Sequence, residues 1–250
     1  MSIVGSEIPN KLAGTVALVT GGSRGIGRAI ASAYARAGAK VFICGRRNDE
    51  LNRVLSDLRR IGGQVDGTAG DVGSSEDVKR IVRSTMDRYG TVHVLVNNAS
   101  LLGPRESIAR YPREAWEDVI RVNLTGAFLM TQEALKTMLP QRHGSIINVS
   151  SGVGRVGRPR WGAYAVSKFG LEGFTQILAE ELKEVGIRAN AVNPGPTRTE
   201  MRASAYPDED PMTLSTPDDI VPVFLYLASD DSIGVSGKSF DAQGWLKPAV

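Results

Sequence analysis

Tyr164 and Lys168, in the stretch GAYAVSKFG, are the first candidates for catalytic residues in this sequence. Four positions separate them, about one helical turn, so on a helix both side chains project from the same face. One interpretation is a surface pair worth roughly 0.2–0.5 kcal/mol. The other is an ammonium that lowers the pKa of the phenol, so that the tyrosine exchanges protons near neutral pH. The stretch by itself leaves both interpretations open.

Length and composition restrict the kind of protein in which such a pair would sit. The chain has 250 residues, of which 42% are hydrophobic and 23% charged, which is typical of a folded globular protein. We expect one domain over 1–250, with 1–11 as an N-terminal extension. The net charge is +3, without the run of five or six basic residues expected of a nucleic-acid-binding tract. A local basic pocket for a phosphate remains compatible with this composition.

Disulfides, membrane spans and metal sites are not expected. The single cysteine, Cys44, ends an apolar run and is predicted to be a buried thiol. The chain contains no stretch of 18 apolar residues, and its start lacks the pattern of a secretory signal. We therefore expect a cytoplasmic protein with no membrane partner. The two histidines, His93 and His143, have no metal-ligand spacing around them.

The secondary structure around Tyr164 and Lys168 can be predicted from the sequence, in which short apolar runs alternate with amphipathic stretches. Apolar runs predict strands at 15–20, 40–44, 64–70, 92–97, 145–150, 187–193 and 238–243. Helical patterns with start and stop signals lie at 25–38, 49–63, 74–90, 112–139, 161–185 and 216–229. This predicts an α/β fold, a single doubly wound Rossmann-fold domain with a parallel sheet of about seven strands and helices on both faces. In such sheets ligands bind beyond the carboxyl ends of the strands.

The segment after the first strand, TGGSRGIG, predicts a phosphate-binding loop. Gly21, Gly25 and Gly27 would let the backbone turn tightly and approach a pyrophosphate at a helix N-terminus. Their spacing differs from the general G-x-G-x-x-G fingerprint. The position of the loop between a strand and a helix near the N-terminus supports the interpretation.

The residues after the second strand indicate which dinucleotide would bind. NAD enzymes of this build carry an acid there, but this chain has Arg46 and Arg47. Two guanidiniums suit a 2′-phosphate, and Arg24 could add a third positive charge. NADP(H) is therefore predicted in preference to NAD(H). The alternative is that Arg46 and Arg47 are solvated residues at a helix start.

The third and fourth strands are followed by polar residues with two interpretations each. Asp71 could accept the adenine amino group, with Val72 beside the ring, or it could be the N-cap of the 74–90 helix. The motif NNAS at 97–100 is either a turn or a polar brace for backbone close to a ligand.

In this order, TGGSRGIG, DV, NNAS, VNLTG, INVSS, YAVSK and NPGPTRT resemble the motifs of the short-chain dehydrogenase/reductase family, over residues 12–245. Within the family, the chain is most similar to the 3-oxoacyl-carrier-protein reductase-like group. The resemblance implies a catalytic tetrad of Asn123, Ser151, Tyr164 and Lys168. It also implies one Rossmann-fold domain that acts on a small carbonyl or alcohol substrate.

The resemblance implies a role for each member of the tetrad. Tyr164 would be the general acid in carbonyl reduction and the general base in alcohol oxidation. Lys168 would lower the pKa of Tyr164 and hold the nicotinamide ribose. Ser151 would bind the substrate oxygen, and Asn123 would interrupt its helix to hold a water that relays protons. The cofactor would be bound by Gly21, Ser23, Arg24, Gly25, Ile26, Gly27, Arg46, Arg47, Asp71, Val72, Asn97, Ala99, Tyr164, Lys168, Pro194, Gly195, Thr197 and Thr199.

Three departures from the family pattern affect the expected substrate site. Ser100 stands where the family usually has glycine, and its side chain would narrow the pocket or add a hydrogen bond. The segment 202–215 is shorter than the usual substrate-covering loop and would either cover the site poorly or form a fixed turn. DAQGW replaces the usual Asp-Gly-Gly, in a region that many relatives use in tetramers. Trp161 would be a wall of the substrate pocket or a packing residue.

The function that these residues predict is an NADPH-dependent carbonyl reductase acting on a small or acyl-linked ketone, including 3-oxoacyl thioesters. One alternative is an alcohol, sugar or steroid dehydrogenase that works in the oxidising direction. Another is a non-catalytic NADP(H)-binding sensor or scaffold, against which the intact tetrad argues. The resemblance also implies a homo-oligomer, a dimer or tetramer, in which outer apolar positions such as Phe169 and Leu171 pair between subunits.

Overall fold

Seven parallel strands form the central sheet of the protein. A computed structural model describes residues 10–245, so positions 1–9 of the predicted N-terminal extension lie outside the described residues. The strands are β1 (Val16–Thr20), β2 (Lys40–Gly45), β3 (Gln64–Ala69), β4 (Val94–Asn97), β5 (Gly144–Val149), β6 (Ile187–Asn193) and β7 (Ser239–Asp241). Their order across the sheet is β3-β2-β1-β4-β5-β6-β7, and every neighbouring pair is parallel. The predicted doubly wound sheet is confirmed.

Helices cover both faces of this sheet. Within the described range they are α1 (Gly25–Arg36), α2 (Asn48–Arg60), α3 (Ser75–Tyr89), α4 (Arg113–Ile120), α5 (Gly126–Gln141), α6 (Gly162–Glu181), α7 (Glu200–Ala205) and α8 (Val221–Ala228). Because each crossover returns the chain to a parallel strand, all strands end at the same edge of the sheet.

The strands are apolar on both sides because both faces of the sheet are buried. In β1 all five residues are buried, and successive side chains enter opposite layers. Ala17 and Val19 pack with α1, α2 and α8, around Tyr34 and Phe224. Leu18 packs on the other face, with residues of α3 and α5. This alternation sets the register at which each strand delivers its last residues to the edge.

The region 112–139, predicted as one long helix, is two helices joined by a π-helical turn. α4 ends at Ile120, Arg121–Thr125 form the turn, and α5 continues from Gly126. Asn123 lies within the turn, so the predicted interruption at this residue is confirmed. Turns of this kind occur frequently at functional sites.

Two other helices are shorter than the sequence pattern predicted. α6 ends at Glu181, and a separate 3₁₀ turn covers Lys183–Val185. The helix predicted over 216–229 begins only at Val221. The reason is that the N–H and the hydroxyl of Thr216 both donate to Asp219, at 2.6 and 2.8 Å, and close a turn of their own. The residues predicted to cap the helix therefore form a separate turn, which lies before the helix begins.

Side-chain burial settles several smaller expectations. Cys44 is buried and free, as predicted. Phe169 is 45% exposed, but Leu171 is 1% exposed and belongs to the core, so its prediction as an outer position is wrong.

No helix of residues 10–245 combines the length and the apolar character needed to cross a membrane. In the same range, no three His, Cys, Asp or Glu side chains are grouped as a metal ion would require.

Close contact between α1 and the loop before it requires glycine at position 27. A Cβ atom on Gly27 would lie 2.3 Å from the carbonyl oxygen of Gly21, which cannot rotate away. We expect Gly27→Ala to lower the free energy of unfolding by about 1–3 kcal/mol. The matched control is Gly173→Ala in α6, where a Cβ would meet nothing within 4 Å. This control should gain about 0.5–1 kcal/mol. Urea denaturation of both variants checks the prediction, and equal stabilities would contradict it.

Candidate active site

A cleft of about 770 Å³ opens at the carboxyl edge of the sheet. Residues that follow β1 to β6 line it, together with two side chains of α6. Of the predicted site residues, the lining contains Gly21, Ser23, Arg24, Gly25, Ile26, Arg46, Arg47, Asp71, Val72, Ala99, Tyr164, Lys168, Pro194 and Thr199. The predicted residues outside the lining are Gly27, Asn97, Asn123, Ser151, Gly195 and Thr197.

The glycine loop has the backbone conformation that phosphate binding requires. Gly21 and Gly25 have φ values of +64° and +51°, a region that residues with a Cβ rarely adopt. A Cβ on Gly21 would also meet the Cα of Ala99 at 3.0 Å. The loop therefore presents bare backbone to the cleft beside the N-terminus of α1, which is the arrangement that a pyrophosphate needs.

The two asparagines after β4 have different roles. Asn97 is 5% exposed, and its amide donates to Asn148 at 2.9 Å in the interior. This corrects the expectation that Asn97 lines the cofactor site. Asn98 lines the cleft instead and donates to the carbonyls of Thr20 and Gly21, at 2.8 and 3.2 Å. The polar-brace interpretation therefore holds for Asn98. The alternation of side chains along a strand was the signal that separates the two neighbours.

The three predicted arginines all line the cleft, but they differ in their partners. Arg24 pairs with Glu200 at 2.6 Å, and Arg47 pairs with Glu50. Arg47 is also the N-cap of α2, which fits the alternative of a helix-start residue. Arg46 is exposed and makes no ion pair within residues 10–245. Its guanidinium is therefore the charge that remains available to a ligand phosphate.

Asp71 is held from two sides and does not cap a helix. Its carboxylate accepts from the N–H of Gly73 at 2.9 Å and from Arg121 at 2.8 Å. Burial raises the pKa of Asp71, but these hydrogen bonds outweigh burial, so the net shift of the pKa is downward. The N-cap of α3 is Ser74, whose hydroxyl accepts from the N–H of Asp77. Arg121 is a site residue that sequence reasoning missed, because its partner lies 50 positions away.

Tyr164 and Lys168 lie one turn apart on α6 and are both buried. The Nζ of Lys168 donates to the carbonyl of Val149 at 2.7 Å and lies 5.5 Å from the centroid of the Tyr164 ring. Burial lowers the pKa of Lys168 to about 8, while the charge of Glu172 raises it in part. The surface-pair interpretation is excluded, because Lys168 is only 2% exposed.

The pKa of Tyr164 differs from the expectation. Burial raises it to about 12, and the hydrogen bond with Ser151 lowers it only in part. The expected lowering by Lys168 is not found, and the ammonium donates instead to the carbonyl of Val149 at the end of β5. The phenol is therefore protonated at neutral pH and is a proton donor.

Asn123 supports this pair from behind the lining. Its Oδ1 accepts from the N–H of Leu101 at 2.7 Å. Its Nδ2 donates to the carbonyl of Leu101 at 2.9 Å and to the hydroxyl of Ser167 at 3.0 Å. The amide thus fixes a lining residue against α6. The proton-relaying water stays a prediction, and the backbone of the π turn is the part of Asn123 best placed to hold it.

The turn after β6 is closed by its own side chains. The hydroxyl of Thr197 donates to the carbonyls of Pro194 and Gly195, each at 3.2 Å. Gly195 has a φ of +68°, and Gln243 packs over it and donates to the carbonyl of Pro196. The DAQGW departure therefore supplies a brace for this turn, a role with no signal in the sequence.

Residues just beyond this turn also line the cleft and were not predicted. They are Arg198, Glu200 and Met201. They flank Thr199, whose hydroxyl caps α7 by accepting from the N–H of Arg202 at 3.1 Å. Their position after a strand end was the signal that could have found them.

The segment 202–215 is held by its own side chains and contributes no residue to the lining of the cleft, so the expectation that it covers the site poorly agrees with the structure. Arg202 donates twice to Glu209, each time at 2.6 Å, and its guanidinium carbon lies 3.8 Å from the centroid of the Tyr206 ring. Tyr206 packs against Trp161, with 6.0 Å between ring centroids. Trp161 lies 5.6 Å from Tyr164 and is 8% exposed, so it packs behind the phenol and does not line the cleft.

Ser100 lines the cleft at the position where glycine is usual in the resembled family. Its hydroxyl is buried and finds no hydrogen-bond partner in the part of the chain that the structure describes. The two expected effects were a narrower pocket and an added hydrogen bond. The structure shows the first, because the side chain of Ser100 occupies space at the cleft wall.

Comparisons with known proteins agree with this geometry. The profile described as short chain dehydrogenase matches residues 15–210. The chain is 42% identical over 238 residues to the uncharacterized oxidoreductase YciK of Escherichia coli, with 94% of each chain covered. It is 36% identical over 245 residues to the 3-oxoacyl-(acyl-carrier-protein) reductase FabG of Thermotoga maritima, covering 94% of this chain and 99% of that relative.

Two solved structures are similar over the same range. A short chain dehydrogenase of Shigella flexneri, complexed with NADP, has a TM-score of 0.90 at 41% identity, covering 94% of this chain and 99% of that one. A second, from Escherichia coli and complexed with NADPH, has a TM-score of 0.90 at 42% identity, covering 94% and 98%. A family profile that spans most of the sheet, and relatives that cover nearly the whole chain, establish that this protein belongs to the short-chain dehydrogenase family.

Proposed function

We propose that the protein is an NADPH-dependent carbonyl reductase that converts a ketone to a secondary alcohol, with Tyr164 as the proton donor. The observation that carries this proposal is the position of Tyr164 at the cleft, one turn before Lys168 on α6 and hydrogen-bonded to Ser151. A phenol that is protonated at neutral pH is suited to give its proton to a developing alkoxide.

NADPH as the cofactor rests on the fit of the cleft. The glycine loop offers backbone to a pyrophosphate, and Arg46 offers an unpaired charge to a 2′-phosphate. The similar structures complexed with NADP and NADPH support the same choice. In this assignment Asp71 and Val72 lie at the adenine end, and Lys168 holds the ribose next to the nicotinamide.

The chemistry then divides between the cofactor and the side chains. When bound, the reduced nicotinamide supplies the hydride that adds to the carbonyl carbon. The Oη of Tyr164 gives its proton to the carbonyl oxygen, so that the product is a neutral alcohol. Ser151 stabilises the negative charge that develops on this oxygen, through its hydroxyl. The phenolate that remains takes up a proton again from solvent.

The substrate class is proposed from similarity. Relatives named as 3-oxoacyl-(acyl-carrier-protein) reductases and ketoacyl reductases favour a 3-oxoacyl thioester. An alcohol, sugar or steroid dehydrogenase remains the alternative substrate class.

A homo-oligomer is part of the same proposal. α5 and α6 expose Phe128, Val166, Phe169 and Ile177, which are apolar side chains at 44–56% exposure. Pairing of these helices between two copies of the chain would bury them. A cytoplasmic location and the absence of a nucleic-acid partner stay predictions from the sequence.

Replacing Tyr164 tests the catalytic assignment. We expect purified wild-type protein to oxidise NADPH in the presence of 3-oxoacyl thioesters or small ketones. Tyr164→Phe should lower kcat by about 100- to 10,000-fold with little change in the Kd for NADPH, because only the proton donor is removed. NADPH oxidation and fluorescence titration measure the two quantities. Equal turnover in both proteins would overturn the role of Tyr164, and no turnover on any ketone would favour the non-catalytic sensor.

Replacing Arg46 tests the cofactor assignment. Arg46→Asp should weaken NADPH binding by about 10- to 100-fold, since a charge-assisted bond to the 2′-phosphate is lost, and should leave NADH binding nearly unchanged. The matched control is Arg53→Asp on the exposed side of α2, which makes the same charge change away from the cleft. Equal losses in the two variants would show a general electrostatic effect and contradict the assignment.

The pH dependence of reduction tests the role of Lys168. Because the pKa of Lys168 is lowered to about 8, the ammonium is present below that pH and is lost above it, so kcat should fall as pH rises through about 8. Glu172→Gln removes a charge that raises this pKa, and should move the fall to lower pH. A fall at the same pH in both proteins would assign it to another group.

A further inference from the structure

A second, smaller cavity lies at the edge of the sheet opposite the cleft. Its volume is about 160 Å³, and it sits where β1, β4, β5 and β6 begin. Its titratable lining residues are Lys11, His93, His143, Arg188, Asp230 and Asp231. None of these residues belongs to the proposed reaction.

Arg188 brings a buried positive charge to this cavity. It is 6% exposed, and its guanidinium donates to the carbonyls of Leu227 and Ser229, at 3.4 and 3.2 Å. Its Nε has no hydrogen-bond partner, and within residues 10–245 it forms no salt bridge. Burial lowers the pKa of Arg188, and the charges of Asp230 and Tyr226 only oppose that shift. Arg188 is thus a buried cation whose Nε–H is left without an acceptor, and an anion bound beside it would supply one.

The histidines add hydrogen-bond donors. The Nδ1 of His93 accepts from the N–H of Val16 at 2.9 Å, so in the neutral ring the proton must lie on Nε2. Burial, and then the charge of His143, lower the pKa of His93, which keeps this ring neutral. His143 meets it edge-on at 6.1 Å and is exposed. His93 is thus a fixed neutral donor, and the ring of His143 lies beside it at the cavity.

The two aspartates at this cavity lie toward solvent. Asp231 is bonded to Lys11 at 2.5 Å, and each of these side chains is about one-third exposed. Asp230 is exposed as well. The carboxylates therefore neutralise charge at the rim, whereas Arg188 lies inside.

We propose that this cavity binds a small oxyanion of the size of sulfate or phosphate, held by Arg188, the Nε2–H of His93 and His143. The volume accommodates such an ion with a few waters.

NMR of the imidazoles tests this site directly. The chain has two histidines and both line the cavity, so their ring signals report on it alone. Sulfate is the probe, and chloride holds the ionic strength constant. We expect the signals of both rings to shift saturably with one Kd at a fixed pH.

Variants separate this site from the cleft and from non-specific ion binding. Arg188→Lys and His143→Gln should each weaken sulfate binding, while the ring of His93 still reports it. Arg46→Ala, which removes a charge from the cleft, should leave sulfate binding unchanged. His143 is exposed, so its variant keeps the test valid if Arg188→Lys fails to fold. Ring signals that do not saturate, or a Kd that His143→Gln leaves unchanged, would overturn the proposal.

Discussion

The burial of the Lys168 ammonium is the constraint on which the rest of the cleft depends. An ammonium that is 2% exposed is tolerated only if its protons are hydrogen-bonded, and the carbonyl of Val149 accepts one of them at 2.7 Å. That bond ties α6 to the end of β5 and so sets the place of Tyr164, one turn earlier. The same low-polarity surroundings raise the pKa of the phenol and lower that of the ammonium, which opposes the simple picture of a cation lowering the pKa of its neighbour.

The wall facing this pair is rigid because its backbone is bonded at both ends. The hydroxyl of Thr20 accepts from the N–H groups of Asn98 and Ala99, at 2.9 and 3.0 Å. Asn123, from the π turn, bonds both backbone groups of Leu101. A wall held in this way keeps its orientation when a ligand binds, which is the condition for catalysis by positioning and fixed dipoles. The π turn thus acts on the cleft through the loop after β4.

Parallel topology separates two kinds of polar site in this molecule. The strands that end at the cleft begin at the opposite edge of the sheet. At that edge Arg188 lies near the start of β6 and His93 lies just before β4. The cleft edge exposes backbone donors and side chains that can exchange protons. The other edge holds one buried charge, Arg188, behind a more exposed rim that includes the Lys11–Asp231 ion pair. Any ion bound there would act on the starts of β1, β4 and β6 and not on the reaction.

The sequence by itself determined the family, the parallel sheet and the glycine loop, because short-range patterns and ordered motifs specify them, and the same motifs predict the catalytic set. It also predicted the break in the long helix at Asn123. Only the tertiary structure decided that Asn98 and not Asn97 reaches the cleft, that Arg47 is already paired and Arg46 is not, and that Leu171 is buried. The direction of the pKa shift of Tyr164 was decided in the same way. These outcomes depend on burial and on partners far away in the chain, and neither is encoded in local spacing.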